Sequence, residues 1–305
     1  MQLVGDVGGS NVRLALADDG RLVASSARRS SGADVAGLEA LIATFLADAG
    51  GPAITAACIA VAGPVANGRA SLTNRTWQVS EDDLARVTGA RRVLLINDLA
   101  ALGHATASLT PRVLRSASDD RPHNGQALVV GAGTGFNVCA VRALPGGGVL
   151  PLEAEEGHTA LPLTIARRLT DLLGADATEA FPSVEHLFAG RGLARFHALR
   201  SGVAPVPGEA IAAAANAGDA AAVETLSQYA EAFGLMLREV ALRFMPREGI
   251  WLAGSVARTL VPRTDRIAAG MLGNPLMRDI PLSTPLLLIE DDMAALQGCI
   301  GAITP

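Results

Sequence analysis

The chain has 305 residues, half of them apolar, and a formal net charge of −5. That length fills a sizeable core and suits two domains, and the acidic balance gives nucleic acid no basic surface to bind. All 25 basic residues are Arg, so a P-loop lysine, a kinase strand lysine and a Schiff-base lysine are excluded. Phosphate chemistry must then rest on backbone N–H groups, hydroxyls, a metal ion or Arg. Met1 leads directly into a strand pattern, and no apolar run reaches the about 18 residues of a membrane span, so a cytoplasmic protein with no membrane contact is expected. Cys58, Cys139 and Cys299 stand singly in apolar stretches and read as core thiols, with neither a disulfide framework nor a zinc ligand set in view.

The first elements are two apolar strand patterns, residues 4–7 and 12–16, hinged by Gly8 and Gly9, with Asp6 on the way in and Ser10 and Asn11 on the way out. Such a turn cradles a phosphate with N–H and hydroxyl donors and no lysine. Residues 21–24 suggest a third strand. Residues 34–49 place Val35, Leu38, Leu41, Ile42 and Phe45 at helical spacing behind Asp34 as N-cap. Residues 54–61 read as a buried strand ending at Gly63-Pro64, residues 81–89 as a short helix, and residues 93–96 as a buried strand that delivers Asn97 and Asp98 at its C-terminal tip. The pattern then restarts: residues 127–130 run into Gly131-Ala132-Gly133-Thr134-Gly135, followed by a strand at 138–141. A second copy of the opening device predicts two similar domains facing each other, each contributing a phosphate-gripping hairpin. Helices are predicted over 163–173, 184–200 and 209–244, the last broken near Gly218. A strand at 250–253 then runs into Gly254-Ser255, another follows at 285–289, and a last helix covers 292–303. The sum is mixed sheets flanked by helices.

Taken in order, the motifs resemble those of the bacterial glucokinase family, hexokinase-type members of the actin-like ATPase superfamily. Residues 5–11 match its GDVGGTN with Ser10 for Thr, Gly63-Pro64 its Gly-Pro loop, residues 73–77 its TN-x-TW, and Ile96-Asn97-Asp98 its IND. Residues 131–135 are its GAGTG, Glu155-Glu156-Gly157-His158 its EGGH, Glu185 its later sugar carboxylate, and Ala253-Gly254-Ser255 its AGG. The resemblance runs from end to end. It implies two actin-like ATPase (ribonuclease-H-like) α/β domains with a cleft between them, residues 1–108 with 292–305 and residues 109–291. It also implies ATP-dependent phosphorylation of glucose at the 6-hydroxyl, and a homodimer. Carried over residue by residue, it puts Asp98 as general base and Asn97, Asp98, Glu155, His158 and Glu185 on the sugar. Asp6 falls on Mg²⁺, and Asp6, Gly8, Gly9, Ser10, Asn11, Gly131, Gly133, Thr134, Gly135, Gly254 and Ser255 surround the ATP.

The chemistry accounts for those residue types. A sugar hydroxyl is a poor nucleophile at neutral pH, so a carboxylate within hydrogen-bond reach must take its proton, and Asp98 ends a buried strand where such a sheet opens. The alternative duty for Asp98 is to cap a helix beginning near Leu99. A polyol needs both acceptors and donors, which carboxylates, an amide and an imidazole supply. Three departures bear on specificity: Glu156 and Ser255 stand where the family has glycine, and Leu99 where it commonly has Phe. Glu156 adds a charge and a Cβ where positive φ is expected, at a cost of about 1 kcal/mol. It either points to water or repolarises the pocket, in which case the substrate is another hexose or an amino sugar. A catalytically silent sugar sensor on the same fold is the remaining reading, and the retained Asp98 argues against it.

Overall fold

The structure, a computed structural model, describes residues 1–8, 11–31, 37–72, 77–117 and 123–304. The chain divides into two compact units: Met1–Thr110 with Ala143–Glu153 and Asp291–Pro305, and Pro111–Arg142 with Ala154–Glu290. Residues 143–153, which the sequence pattern assigns to the second domain, cluster with the first unit. The predicted cap Asp34 with Val35, the turn residues Gly9 and Ser10, and residues 73–76 of the TN-x-TW motif lie outside the described residues.

The first unit runs β1 (Gln2–Val7), β2 (Asn11–Asp18), β3 (Arg21–Leu22), β4 (Arg28–Ser31), α1 (Leu38–Asp48), β5 (Ala56–Val61), β6 (Val65–Ala66), β7 (Arg69–Ser71), β8 (Gln78–Ser80), α2 (Glu81–Thr88), β9 (Arg92–Asn97) and α3 (Asp98–Ala105). β1 pairs antiparallel with β2 and parallel with β5, which pairs parallel with β9. Period-two alternation sends Leu3 and Val7 to a core shared with Leu38, Ile42 and Leu84 of α1 and α2, and sends Val4 to a core shared with Cys58, Ala101, Leu296 and Cys299. All three cysteines are free and buried, as their apolar settings predict. The third strand is shorter than its pattern because Ser26 intervenes: its Oγ donates to Val23 O at 2.6 Å and accepts from Leu16 N at 2.8 Å, turning residues 24–26 into a 3-10 turn.

The second unit holds β10 (Arg112–Arg115), β11 (Gln126–Ala132) and β12 (Phe136–Ala143), while β13 (Val149–Glu153) belongs to the first. It continues with α4 (Leu163–Leu173), α5 (Val184–Phe188), α6 (Gly190–Ser201), α7 (Gly208–Asn216), α8 (Ala220–Phe244), β14 (Ile250–Ala253), α9 (Ser255–Leu260), α10 (Thr264–Leu272), α11 (Asp279–Leu282) and β15 (Leu286–Leu288). β10, β15, β14, β11 and β12 lie side by side in that order, with β11 and β12 antiparallel and β14 parallel to both β11 and β15. The unit thus repeats the first: a hairpin flanked by parallel strands. Phe136, Phe188 and Phe233 stack edgewise and tilted at 5.7–6.4 Å beneath it, and Tyr229 OH donates to Leu187 O at 2.7 Å. The single helix predicted over 184–200 is broken at Ala189, which is extended, because Gly190 N donates to Gly133 O at 2.7 Å instead of to its own helix.

The chain closes with α12 (Ala294–Ile303), which packs on α3, β1 and β5 of the first unit. A Cβ on Gly298 would stand 1.7 Å from Ala101 O, whereas one on Gly301 would meet nothing nearer than His104 O at 3.6 Å. The same substitution therefore has opposite signs three residues apart. Gly298→Ala is expected to cost about 3 kcal/mol through forced separation of the helices, and Gly301→Ala to be neutral or stabilising by about 0.5 kcal/mol through helix propensity. Urea denaturation of the two variants checks the pair.

Candidate active site

In the first unit the opening hairpin pairs Asp6 opposite Arg13, and Arg13 Nη1 donates to Asp6 Oδ2 at 3.0 Å. Gly8 N donates to Asn11 O at 2.9 Å, which closes the turn, and the Asn11 side-chain oxygen accepts from Arg29 Nε at 3.1 Å. Burial pushes the Asp6 carboxyl above its usual range, against the smaller downward pull of Arg13. At the tip of β9, Asn97 is buried and serves as the N-cap of α3: its Oδ1 accepts from Leu99 N at 2.9 Å and Ala100 N at 3.3 Å, and its Nδ2 donates to Gly63 O at 3.0 Å. The capping duty considered for Asp98 thus falls to Asn97, because the helix begins one residue earlier than the sequence pattern suggests. Asp98 is the first helical residue, half-buried, its Oδ1 accepting from Leu99 N at 2.9 Å.

In the second unit Gly131 lies in β11, and the turn of residues 133–135 is closed by Gly133 N donating to Gly135 O at 2.9 Å. Gly254 reaches the turn with φ +98°, where a Cβ would stand 2.3 Å from Ala132 O, so only glycine fits. Ser255, which follows it, starts α9 and has its N–H 3.5 Å from where a Gly133 Cβ would be. Gly133, Thr134 and Ser255 line a cavity of about 380 Å³, walled by Leu193, Val206 and Pro207 among others.

The EEGH segment is fastened to β12. Asn137 Nδ2 donates to Glu155 Oε2 at 3.1 Å, and Asn137 Oδ1 accepts from Glu156 N at 2.9 Å. The His158 ring lies 3.8 Å from Glu155 Oε2, and both side chains are more than half exposed. A Cβ on Gly157 would stand 2.1 Å from Phe136 O. Glu185, on α5, accepts Phe136 N at 3.2 Å with Oε2, and its Oε1 is paired with Arg191; Gly135 lies against the same carboxylate. The structure therefore brings Glu155, His158 and Glu185 to the β11–β12 turn within one unit.

The solvent-exposed fate considered for Glu156 is not the one the structure gives it. Its φ is not positive, so the expected strain is absent, and its carboxylate is withdrawn from water. It is 8% exposed and paired with Arg243 in the last turn of α8. Asn137, Arg191 and Arg243 carried no signal in the sequence, since each acts on a residue six to 87 positions away. Arg13 did: the hairpin register that follows from the turn puts it opposite Asp6.

The sequence profile of the glucokinase family matches residues 3–304. The chain belongs to that family. Its class is accordingly that of a kinase, a phosphoryl transferase. A glucokinase of Caulobacter vibrioides is 30% identical over 325 aligned positions, covering 99% of this chain and 95% of that protein. Two solved structures share the fold. A glucokinase from an Antarctic psychrotroph is 24% identical with a TM-score of 0.80, covering 99% of this chain and 98% of that one. A glucokinase from Streptomyces griseus, solved with glucose and AMPPNP, is 20% identical with a TM-score of 0.64, covering 98% and 97%. The likeness shows that this chain has the α/β fold of those two glucokinases.

Two consequences are measurable. Glu156 is the more buried member of its ion pair, at 9% side-chain exposure against 40% for Arg243. Arg243→Ala strands a buried carboxylate and should cost about 2–4 kcal/mol, while Glu156→Ala strands a half-exposed guanidinium and should cost about half as much; urea denaturation gives the order. For Asp6 the raised pKa means that the folded protein holds the proton more tightly than the unfolded chain. Its ionisation therefore subtracts stability above the folded pKa and nothing below the unfolded one. Asp6→Asn should melt above the unsubstituted protein at pH 7, the gap closing as pH falls into the ordinary aspartate range, as calorimetric scans at the two pH values will read.

Proposed function

We propose that the protein transfers the γ-phosphoryl group of MgATP to the 6-hydroxyl of glucose, giving glucose 6-phosphate and ADP. The observation that carries this reading is the turn of residues 133–135. Its first two residues line a cavity of nucleoside size, and its last lies against Glu185. A donor in that cavity and a hydroxyl on Glu185 are held two residues apart on one rigid turn, and proximity of this kind lowers a bimolecular barrier. The Streptomyces griseus relative, solved with glucose and AMPPNP, supports a hexose acceptor and an ATP donor. The Arg243 partner already satisfies the Glu156 carboxylate, so its replacement of glycine does not by itself call for another sugar.

In this reading Glu155, His158 and Glu185 accept from and donate to the sugar hydroxyls. Asn97, whose amide oxygen is occupied by two helix N–H groups, acts on the sugar chiefly by fixing the start of α3. Asp98 accepts the proton of the attacking hydroxyl as the bond to phosphorus forms. Backbone N–H groups and hydroxyls of the two glycine turns, Gly9 and Ser10 included, hold the phosphates. Among the described residues no three His, Cys, Asp or Glu side chains gather as a ligand set. Mg²⁺ would enter with the nucleotide's phosphates, Asp6 is the carboxylate that would hold it, and it would supply neutralisation of charge on the transferring group. The family resemblance extends the proposal to a cytoplasmic homodimer; no helix among the described residues is long and apolar enough to cross a membrane.

A coupled ADP-release assay over glucose, mannose, fructose, glucosamine and N-acetylglucosamine tests the reading. Glucose is expected to give the highest kcat/KM, and Asp98→Ala to lower kcat by about 10²–10⁴-fold while glucose binding, read by calorimetry, stays within several-fold. Preference for another sugar replaces the substrate and keeps the mechanism, and sugar binding without turnover makes the protein a sensor.

A further inference from the structure

Arg191, the second residue of α6, has two neighbours of different kinds. Its guanidinium is paired with Glu185 Oε1, and the other oxygen of that carboxylate is held by Phe136 N–H. Arg191 also lines the cavity of Gly133, Thr134 and Ser255, where among the described residues it is the one cation, Glu209 being the one anion. Its side chain is 59% exposed, which leaves solvent space for the guanidinium to turn into, while Glu185 is 20% exposed. Its backbone cannot drift, because Gly190 N is bonded to Gly133 O at 2.7 Å.

We propose that Arg191 binds the phosphate chain of the donor nucleotide and couples nucleotide binding to sugar binding through Glu185. The proposal rests on the reading given under Proposed function. A polyphosphate brings several negative charges into a cavity whose other lining groups are glycines, prolines, aliphatics, hydroxyls and the single carboxylate of Glu209. In a chain without lysine, a guanidinium is the side chain that answers them, and its planar fork suits phosphate oxygens. The same guanidinium has five N–H donors, of which Glu185 engages one nitrogen.

The two states are Arg191 held on Glu185 and Arg191 turned to phosphate. A sugar hydroxyl that donates to Glu185 Oε1 shares the carboxylate with Arg191 and loosens its hold, which releases the guanidinium toward the nucleotide. Sugar therefore tightens nucleotide binding, and by linkage nucleotide tightens sugar binding by the same factor. A purely positional role is different in kind: Arg191 would then hold Glu185 for the sugar and leave nucleotide affinity alone.

Calorimetric titration of MgADP, with and without saturating glucose, separates the two. In the unsubstituted protein glucose should tighten ADP by about fivefold or more, the usual range of such couplings. Arg191→Gln should weaken ADP about tenfold without glucose, bring the ratio with and without glucose close to one, and raise the KM for ATP far more than it lowers kcat. Arg191→Lys, which restores charge without the fork and guards against misfolding of the glutamine variant, should recover part of the affinity. The proposal is overturned if Arg191→Gln loses glucose affinity alone, if its ADP affinity is unchanged, or if glucose leaves ADP affinity unaltered in the unsubstituted protein. Failure of the kinase reading shows separately, as absence of sugar-dependent ADP release, and leaves the ADP titration readable.

Discussion

The backbone of the β11–β12 turn has no room for side chains on the segments that meet it, and the second unit's site depends on that closeness. Gly254 comes to where a Cβ would stand 2.3 Å from Ala132 O, Gly157 to 2.1 Å from Phe136 O, and Gly135 to 2.7 Å from a Glu185 oxygen. Three segments far apart in sequence, the start of α9, the EEGH loop and α5, are thereby drawn onto four or five residues of main chain. The hydrogen bonds follow from that approach: Gly190 N to Gly133 O and Phe136 N to Glu185 both require it. A methyl at any of these positions would not merely lose a contact; it would push a polar group of the site out of reach. Beneath the turn, Phe136, Phe188 and Phe233 form a stiff base, so α5 and β12 are held from the buried side by the same rings whose chain neighbours carry the polar groups.

Charge is handled with equal economy. Arginine replaces lysine throughout, and at the site residues it appears opposite carboxylates: Arg13 on Asp6, Arg191 on Glu185, Arg243 on Glu156. A guanidinium fork fixes the plane of its partner, which an ammonium does not. The cost is burial. Desolvation of Asp6 exceeds what Arg13 returns, since its carboxyl is pushed up and not down. The Asp6 carboxylate therefore weakens the hairpin wherever it is ionised.

The repeated hairpins, the buried strands and most helices were legible because their signals are local: an apolar run, a glycine turn, a 3.6-residue period. The strand tip that carries Asn97 and Asp98 was legible for the same reason, since Ile96-Asn97-Asp98 is contiguous. What was not read divides into two kinds. The β6–β7 hairpin turns on Asn67 and Gly68, both with positive φ, and an Asn-Gly pair between short strands is a hairpin signal in plain sequence; its strands are only two and three residues long, too short for periodicity to show. Glu156, by contrast, was illegible in principle. Whether a carboxylate in a loop meets water or a partner depends on Arg243, 87 residues on at the far end of a 25-residue helix. The cap on α3 was a one-residue matter: Asn97 and Asp98 are both good caps, and only the position of the first helical residue decides between them.

The duplication itself explains how such different loads came to hang on one device. Next to the turn, Val7 faces Val12 in the first hairpin and Ala132 faces Phe136 in the second; one step further out, Asp6 faces Arg13 and Gly131 faces Asn137. The two polar pairs occupy the same rung of the same ladder. In the first copy that rung carries a carboxylate and its guanidinium. In the second, glycine vacates one side and the facing amide reaches across to Glu155 and Glu156 instead. The carboxamide can be placed in one way only, oxygen to the Glu156 N–H and nitrogen to the Glu155 carboxylate, because the flipped amide would set donor against donor and oxygen against oxygen. One rung thus carries a charged pair in one copy and, in the other, an amide that orients a carboxylate.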